Sequence, residues 1–179
     1  MKPMKTCQNV GLLIVGLAMP MSARAAGLDI PLQALEQVRA CIENNTLADG
    51  TGIYADAGIG VRRTSASMTA VNLFSRRLLG QDLSSKVQTR QRDILLEHLP
   101  DHTNMNSLDS DPYQWYYTSL AFLMEGGEAW QRFNIEMKRS LLTSQVTAKG
   151  PSHGSWSPDS YYGKSYGRVY STAISCLCL

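Results

Sequence analysis

The sequence predicts an all-α protein built from repeated helical hairpins, about six helices in all. Apolar residues recur at three and four residue spacing over six segments, the period of a half-buried helix. Those segments fall into two alternating types with a repeat of about 50 residues, the mark of stacked supersecondary units. No run of alternating polar and β-branched residues competes with them, so a sheet is not expected.

Residues 1–25 have the form of an export signal. Lys2 and Lys5 supply a basic start, Val10 to Met21 an apolar run, and Ala23-Arg24-Ala25 a small-x-small site, with cleavage expected after Ala25. An apolar run of about a dozen residues falls short of the roughly 20 that a spanning helix needs. No later stretch is apolar enough to span. The domain 26–179 is therefore expected in the periplasm or outside the cell.

The helical segments run from Leu28 to Asn44, Thr64 to Leu79, Leu83 to Leu99, Pro112 to Met124, Glu128 to Val146, and Gly167 to the end. Gly, Pro and Asp punctuate them: residues 48–52, Gly80, Pro100-Asp101, Gly126-Gly127, and 150–163 with Pro151 and Pro158. Asp111-Pro112 predicts a helix start, with the carboxylate as cap and proline in the first turn. Helices of the second type share a Thr followed by a small residue, at Thr69-Ala70, Thr118-Ser119 and Thr172-Ala173, spaced by 49 and 54 residues. Those of the first type align through Ile42, Leu95 and Leu142. Small residues at the shared step let neighbouring helices approach closely. The final helix breaks off at Leu177-Cys178-Leu179 without a cap, which predicts a C-terminal truncation and an apolar end in need of a cover.

Composition narrows the function. Removing the signal lowers Lys plus Arg from 17 to 14 against 15 acidic residues, so the mature chain is near neutral. That argues against nucleic acid or a polybasic membrane patch. Arg62-Arg63 and Arg76-Arg77 are expected on solvated faces. Cys41, Cys176 and Cys178 are an odd set in a chain too long to need a disulfide framework. Cys176 and Cys178 lie about 200° apart on a helix and cannot share a metal, so both are expected as small apolar residues.

The segment Gln145 to Gly154-Ser155-Trp156 resembles the Gln...Gly-x-Trp signature of squalene-hopene and oxidosqualene cyclases. A degenerate copy runs from Asn45 to Gly52-Ile53-Tyr54, two hairpins earlier. With three hairpins in register, the chain is similar to the α/α-toroid superfamily of terpene cyclases and protein prenyltransferase β-subunits, and above all to the secreted bacterial prenyltransferase and squalene oxidase repeat proteins. The resemblance implies a partial α/α-toroid in which Gln145, Gly154 and Trp156 are structural, the Gln amide reaching the start of the next helix and the Trp ring packing nearby.

The catalytic parts of that family have no match. Its cyclases use an Asp-x-Asp-Asp acid motif, for which Asp109-Ser110-Asp111 is the nearest run and is better explained as a cap. Its zinc transferases place a His between Tyr and Thr, where this chain has Tyr170-Ser171-Thr172, and they use an Asp-x-Cys pair that is missing. His98 and His102 are separated by Pro100 without a third ligand, and His153 lacks a nucleophile beside it. Glu125 and Glu128 flank a Gly-Gly turn and do not form a glycosidase pair. No catalytic residue, metal or cofactor is expected. The aromatic residues Trp115, Tyr116, Tyr162, Tyr166 and Tyr170 are the candidate ligand-binding surface, suited to an isoprenoid, a glycan or a protein. The expected function is an exported noncatalytic toroid-like domain that binds through these residues. The alternative is a terpene cyclase or prenyltransferase-like enzyme whose catalytic residues lie outside this chain.

Overall fold

The structure, a computed structural model, describes residues 27, 29–56, 61–82, 84–107 and 109–179. The export signal expected at 1–25 lies outside the described residues. Among the described residues six helices form in chain order: α1 Leu32–Asn44, α2 Ala66–Leu78, α3 Lys86–Glu97, α4 Pro112–Glu125, α5 Gly127–Ser144 and α6 Gly163–Cys178. The architecture is predominantly all-α, as the apolar spacing predicts.

Local signals set the helix ends. The Ser65 side chain accepts a hydrogen bond from Met68 N at 3.1 Å and starts α2, while Asp111 accepts from Tyr113 N at 2.8 Å with Pro112 behind it and starts α4. Gly167 sits inside α6 at φ 80° and ψ −176°, a left-handed conformation that only glycine adopts cheaply. It divides a first turn at 163–166 from the continuous helix beyond, where the sequence places the helix start.

One expectation fails. A two-stranded antiparallel sheet, β1 Ile53–Asp56 and β2 Val61–Thr64, pairs Ile53 with Thr64 and Tyr54 with Arg63. Each strand is four residues long, too short for alternation to stand out against the helical period.

The helices pack as two rows. Second-type helices form a central row, α2 against α4 and α4 against α6, while α1 and α3 pack on α2, α5 packs on α4, and α3 meets α5. The core between the rows contains Ile42, Leu73, Leu95, Trp115, Phe122, Phe133, Met137, Leu141 and Trp156. Truncating any of its large side chains to Ala would cost about 2–5 kcal/mol. The buried member of the first-type register is Leu141, and Leu142 is exposed. The sequence alignment through Leu142 is thus one residue out, because adjacent leucines cannot be told apart by spacing alone.

Arg76 and Arg77 overturn the expectation of solvated arginines. Arg76 donates to both oxygens of Glu43 at 2.5 and 3.2 Å and to Thr46 Oγ1 at 3.0 Å, tying α2 to the end of α1. Arg77 donates to Ala121 O at 2.5 Å and to Glu125 at 2.5 Å, and Arg92 reaches the other Glu125 oxygen at 3.2 Å. Both guanidinium groups are buried, so their pairing is obligatory: an unpaired buried charge would be strongly destabilising. Arg63 is exposed as expected.

The cysteines divide. Cys41 is disulfide-bonded, although the odd set of cysteines argued against a disulfide framework. Cys178 is a buried free thiol and Cys176 an exposed one, so only Cys178 fills the expected core role.

Candidate functional site

The N-terminal heads of the three central helices converge on one short segment. Asp109 Oδ1 accepts from Ala66 N at 2.6 Å, capping α2 from 43 residues away. Asp111 Oδ1 caps its own helix α4, and its Oδ2 accepts from Tyr162 N at 3.1 Å at the head of α6. The two carboxylates satisfy amides that would otherwise be orphaned at three helix starts, and they meet the positive ends of the helix dipoles. Asp111 is fully buried. Burial raises its carboxyl above the usual 3.8, opposed by the amides of Tyr113 and Tyr162. With both oxygens already accepting backbone N–H groups, it acts as a clasp.

Tyrosines gather around this clasp. Tyr113 lies 4.9 Å from Tyr117 and 5.3 Å from Tyr162 between ring centroids, which joins α4 to α6. Tyr116 meets Tyr117 edge-on at 5.1 Å, Tyr161 meets Tyr162 at 5.2 Å, and Tyr162, Tyr166 and Tyr170 continue the row at 6.2 and 5.3 Å. Edge and tilted contacts at these distances suit the ring quadrupoles. Burial, first, and then neighbouring hydroxyls push the Tyr113 phenol upward, and burial with the Asp111 charge does the same for Tyr162 and Tyr170. These groups stay neutral through the physiological range.

Four of the five aromatic candidates belong to this cluster. Tyr116, Tyr162 and Tyr170 are half-buried, and Tyr166 stands out with 66% exposure. Trp115 does not belong: it is fully buried in the core beside Phe122 and cannot line a surface. Helical spacing explains the split, since Trp115 lies one position before Tyr116 and so faces about 100° away. Sequence reasoning missed Tyr54, whose hydroxyl is close enough to raise that of Tyr162. Its only signal was its place in the degenerate loop copy.

The Trp156 loop ties the end of α5 to α6. Trp156 is buried, its Nε1 donates to Leu141 O at 2.8 Å, and its backbone N donates to Thr172 Oγ1 at 3.3 Å, linking the end of α5 to α6. Gln145 does not reach the following helix as the resemblance implies. Its amide donates to Gly154 O at 2.8 Å and closes the loop on itself. In the earlier loop Gly52 N donates to Thr69 Oγ1 at 2.9 Å, so the residue that meets the shared Thr is Gly52, two places before Tyr54. A Cβ at Gly52 would lie 2.3 Å from the Met68 carbonyl carbon, which leaves no room for a Trp there.

The remaining candidates stay apart. Ser171 is buried and donates to Gly167 O at 3.3 Å. Among the described residues no three His, Cys, Asp or Glu side chains come together to hold a metal ion, and no helix is long and apolar enough to cross a membrane. No known family, curated protein or solved structure matches the chain.

Proposed function

We infer that the chain is an exported, noncatalytic helical-repeat module related to the α/α-toroid superfamily, and that it binds a ligand or protein partner through its tyrosine face. One observation carries this: seven tyrosines of α4, α6 and the loop before α6 form a continuous series of ring contacts that reaches the surface at exposed Tyr161 and Tyr166. Buried tyrosines serve packing alone, whereas phenol rings at a solvated rim give broad apolar contact and hydroxyls for hydrogen bonds at small entropic loss. The Asp111 clasp holds the α4 and α6 heads together, so the surface is formed before a ligand arrives.

Isothermal titration with farnesyl diphosphate, a soluble cello-oligosaccharide and an aromatic-rich peptide tests the reading. At least one probe should bind, and the double variant Tyr161→Ala/Tyr166→Ala should weaken it by about tenfold or more, equal to about 1.4 kcal/mol, with an unchanged melting temperature. Binding that survives the double variant would place the site elsewhere, and turnover of the diphosphate would replace the noncatalytic reading with the enzymatic one.

A further inference from the structure

The exposed end of the tyrosine face is bordered by a rim of polar side chains. Asp101 orders the loop that carries part of it: its Oδ1 accepts from Thr103 N at 2.9 Å and Thr103 Oγ1 at 2.7 Å, and Asn104 N donates to Asp101 O at 3.1 Å. Tyr161 N donates to Met105 O at 2.7 Å, which seats the tyrosine against this loop, with Asn104 and Asn106 on either side of Met105 in the chain. Lys164 Nζ donates to Asn106 Oδ1 at 2.5 Å and fastens the first turn of α6 to the same loop. Asn104, Asn106, Asp159 and Ser165 are all exposed. Among the described residues the Asn104 side-chain amide, the Asn106 side-chain N–H groups and the Asp159 carboxylate have no partner.

This chemistry narrows the ligand. The cations at the head of α6 are already committed, Lys164 to Asn106 and Arg168 to Ser155 and Ser157 at 3.0 and 3.5 Å, and Asp159 adds an anion nearby in the chain. A diphosphate, which needs free cations, is therefore disfavoured. An isoprenoid chain needs an enclosed apolar groove, whereas Tyr161 and Tyr166 stand 40% and 66% exposed. A peptide is less well matched, because the free groups are side-chain amides on an exposed loop rather than a strand edge or an apolar groove. A neutral sugar fits both parts. One face of a pyranose presents C–H groups to an aromatic ring, and its hydroxyls, each donor and acceptor at once, match amides and a carboxylate.

We propose that this end of the tyrosine face is a carbohydrate site: the Tyr161 ring, with Tyr166 beyond it, packs on the C–H face of a neutral oligosaccharide while Asn104, Asn106 and Asp159 hydrogen-bond its hydroxyls. The proposal rests on the binding reading above and gives it a ligand class. The Tyr161 and Tyr166 rings lie 5.2 and 6.2 Å from that of Tyr162, so a short oligosaccharide spans both. The Asp101 turn and the Tyr161–Met105 hydrogen bond hold the rim in place before the sugar arrives, which keeps the ordering cost of binding small.

Isothermal titration of the full chain with maltohexaose and cellohexaose tests the assignment, with farnesyl diphosphate and an aromatic-rich peptide as competing probes. At least one oligosaccharide should bind, with the same affinity at low and high salt because the ligand is neutral. Tyr161→Ala, and separately the pair Asn104→Ala/Asn106→Ala, should each weaken it by about tenfold or more at an unchanged melting temperature. Sugar binding that survives the loss of both amides overturns the proposal. Binding of the peptide or the diphosphate alone, weakened by Tyr161→Ala/Tyr166→Ala, also overturns it but leaves the tyrosine face as a binding surface. Silence from every probe overturns both.

Discussion

Replacing Trp156 with Ala removes a buried ring whose Nε1–H holds the end of α5, while the backbone N–H to Thr172 Oγ1 on α6 remains. A buried indole withdraws roughly 150–250 Å² from water, about 4–6 kcal/mol at 25 cal/mol per Å² as an upper bound, and Trp to Ala changes in cores measure about 3–5 kcal/mol. The substitution also leaves Leu141 O, at the end of α5, without the indole N–H that it accepts at 2.8 Å. Trp156→Phe separates the two effects, since it keeps most of the ring area and loses only the hydrogen bond, for about 1–2 kcal/mol. Urea unfolding followed by circular dichroism reads both values, and in a domain of this size Trp156→Ala should lower the melting temperature by roughly 10 °C. A loss below about 1 kcal/mol for Trp156→Ala, or equal losses for Ala and Phe, would refute this packing role.

Gly52→Ala should destabilise by about 3 kcal/mol on the same assay, because its Cβ would lie 2.4 Å from Thr69 N as well as against the Met68 carbonyl; a neutral change would mean that the loop does not seat on α2. Glu43 and Asp111 should act oppositely on stability against pH. The Arg76 hydrogen bond lowers Glu43 from 4.5, so its stabilisation is present above 4.5 and lost as pH falls through the folded value, and Glu43→Gln should flatten the acid limb of a melting series. Burial raises Asp111 from 3.8, so there the fold favours the proton and stability falls as pH rises through the folded value, a slope that Asp111→Asn should remove. Iodoacetamide on the native chain should modify Cys176 well before Cys178, whose thiol is buried and pushed up to about 12; equal rates by peptide mass mapping would contradict the packing of the α6 end.

Local chemistry was legible in the sequence and distant pairing was not. The Asp111-Pro112 start, the three shared Thr steps and the buried Trp156 follow from capping, period and ring size, and each has a partner or a neighbour to match. Thr69 and Thr172 have a further role that spacing could not show, accepting the loop amides of Gly52 and Trp156. Arg76 and Arg77 resemble any solvated basic pair until Glu43 and Glu125 arrive from 33 and 48 residues away. Trp115 and Tyr116 are adjacent and equally aromatic, and only how α4 packs against its neighbours decides which of them is core. Asp109 was correctly seen as a cap in type, but its helix is α2, in a different hairpin.

That last assignment bears on the order in which the chain closes. The first turn of α2 receives its terminal acceptor from a residue 43 positions later, and Asp111 in turn receives Tyr162 N from 51 positions later. Neither joint can be made from within a single hairpin, so each hairpin arrives incomplete and is finished by the next. Because such distant contacts carry the entropy of long loops, they form late, and the middle hairpin is the one whose arrival locks both of its neighbours.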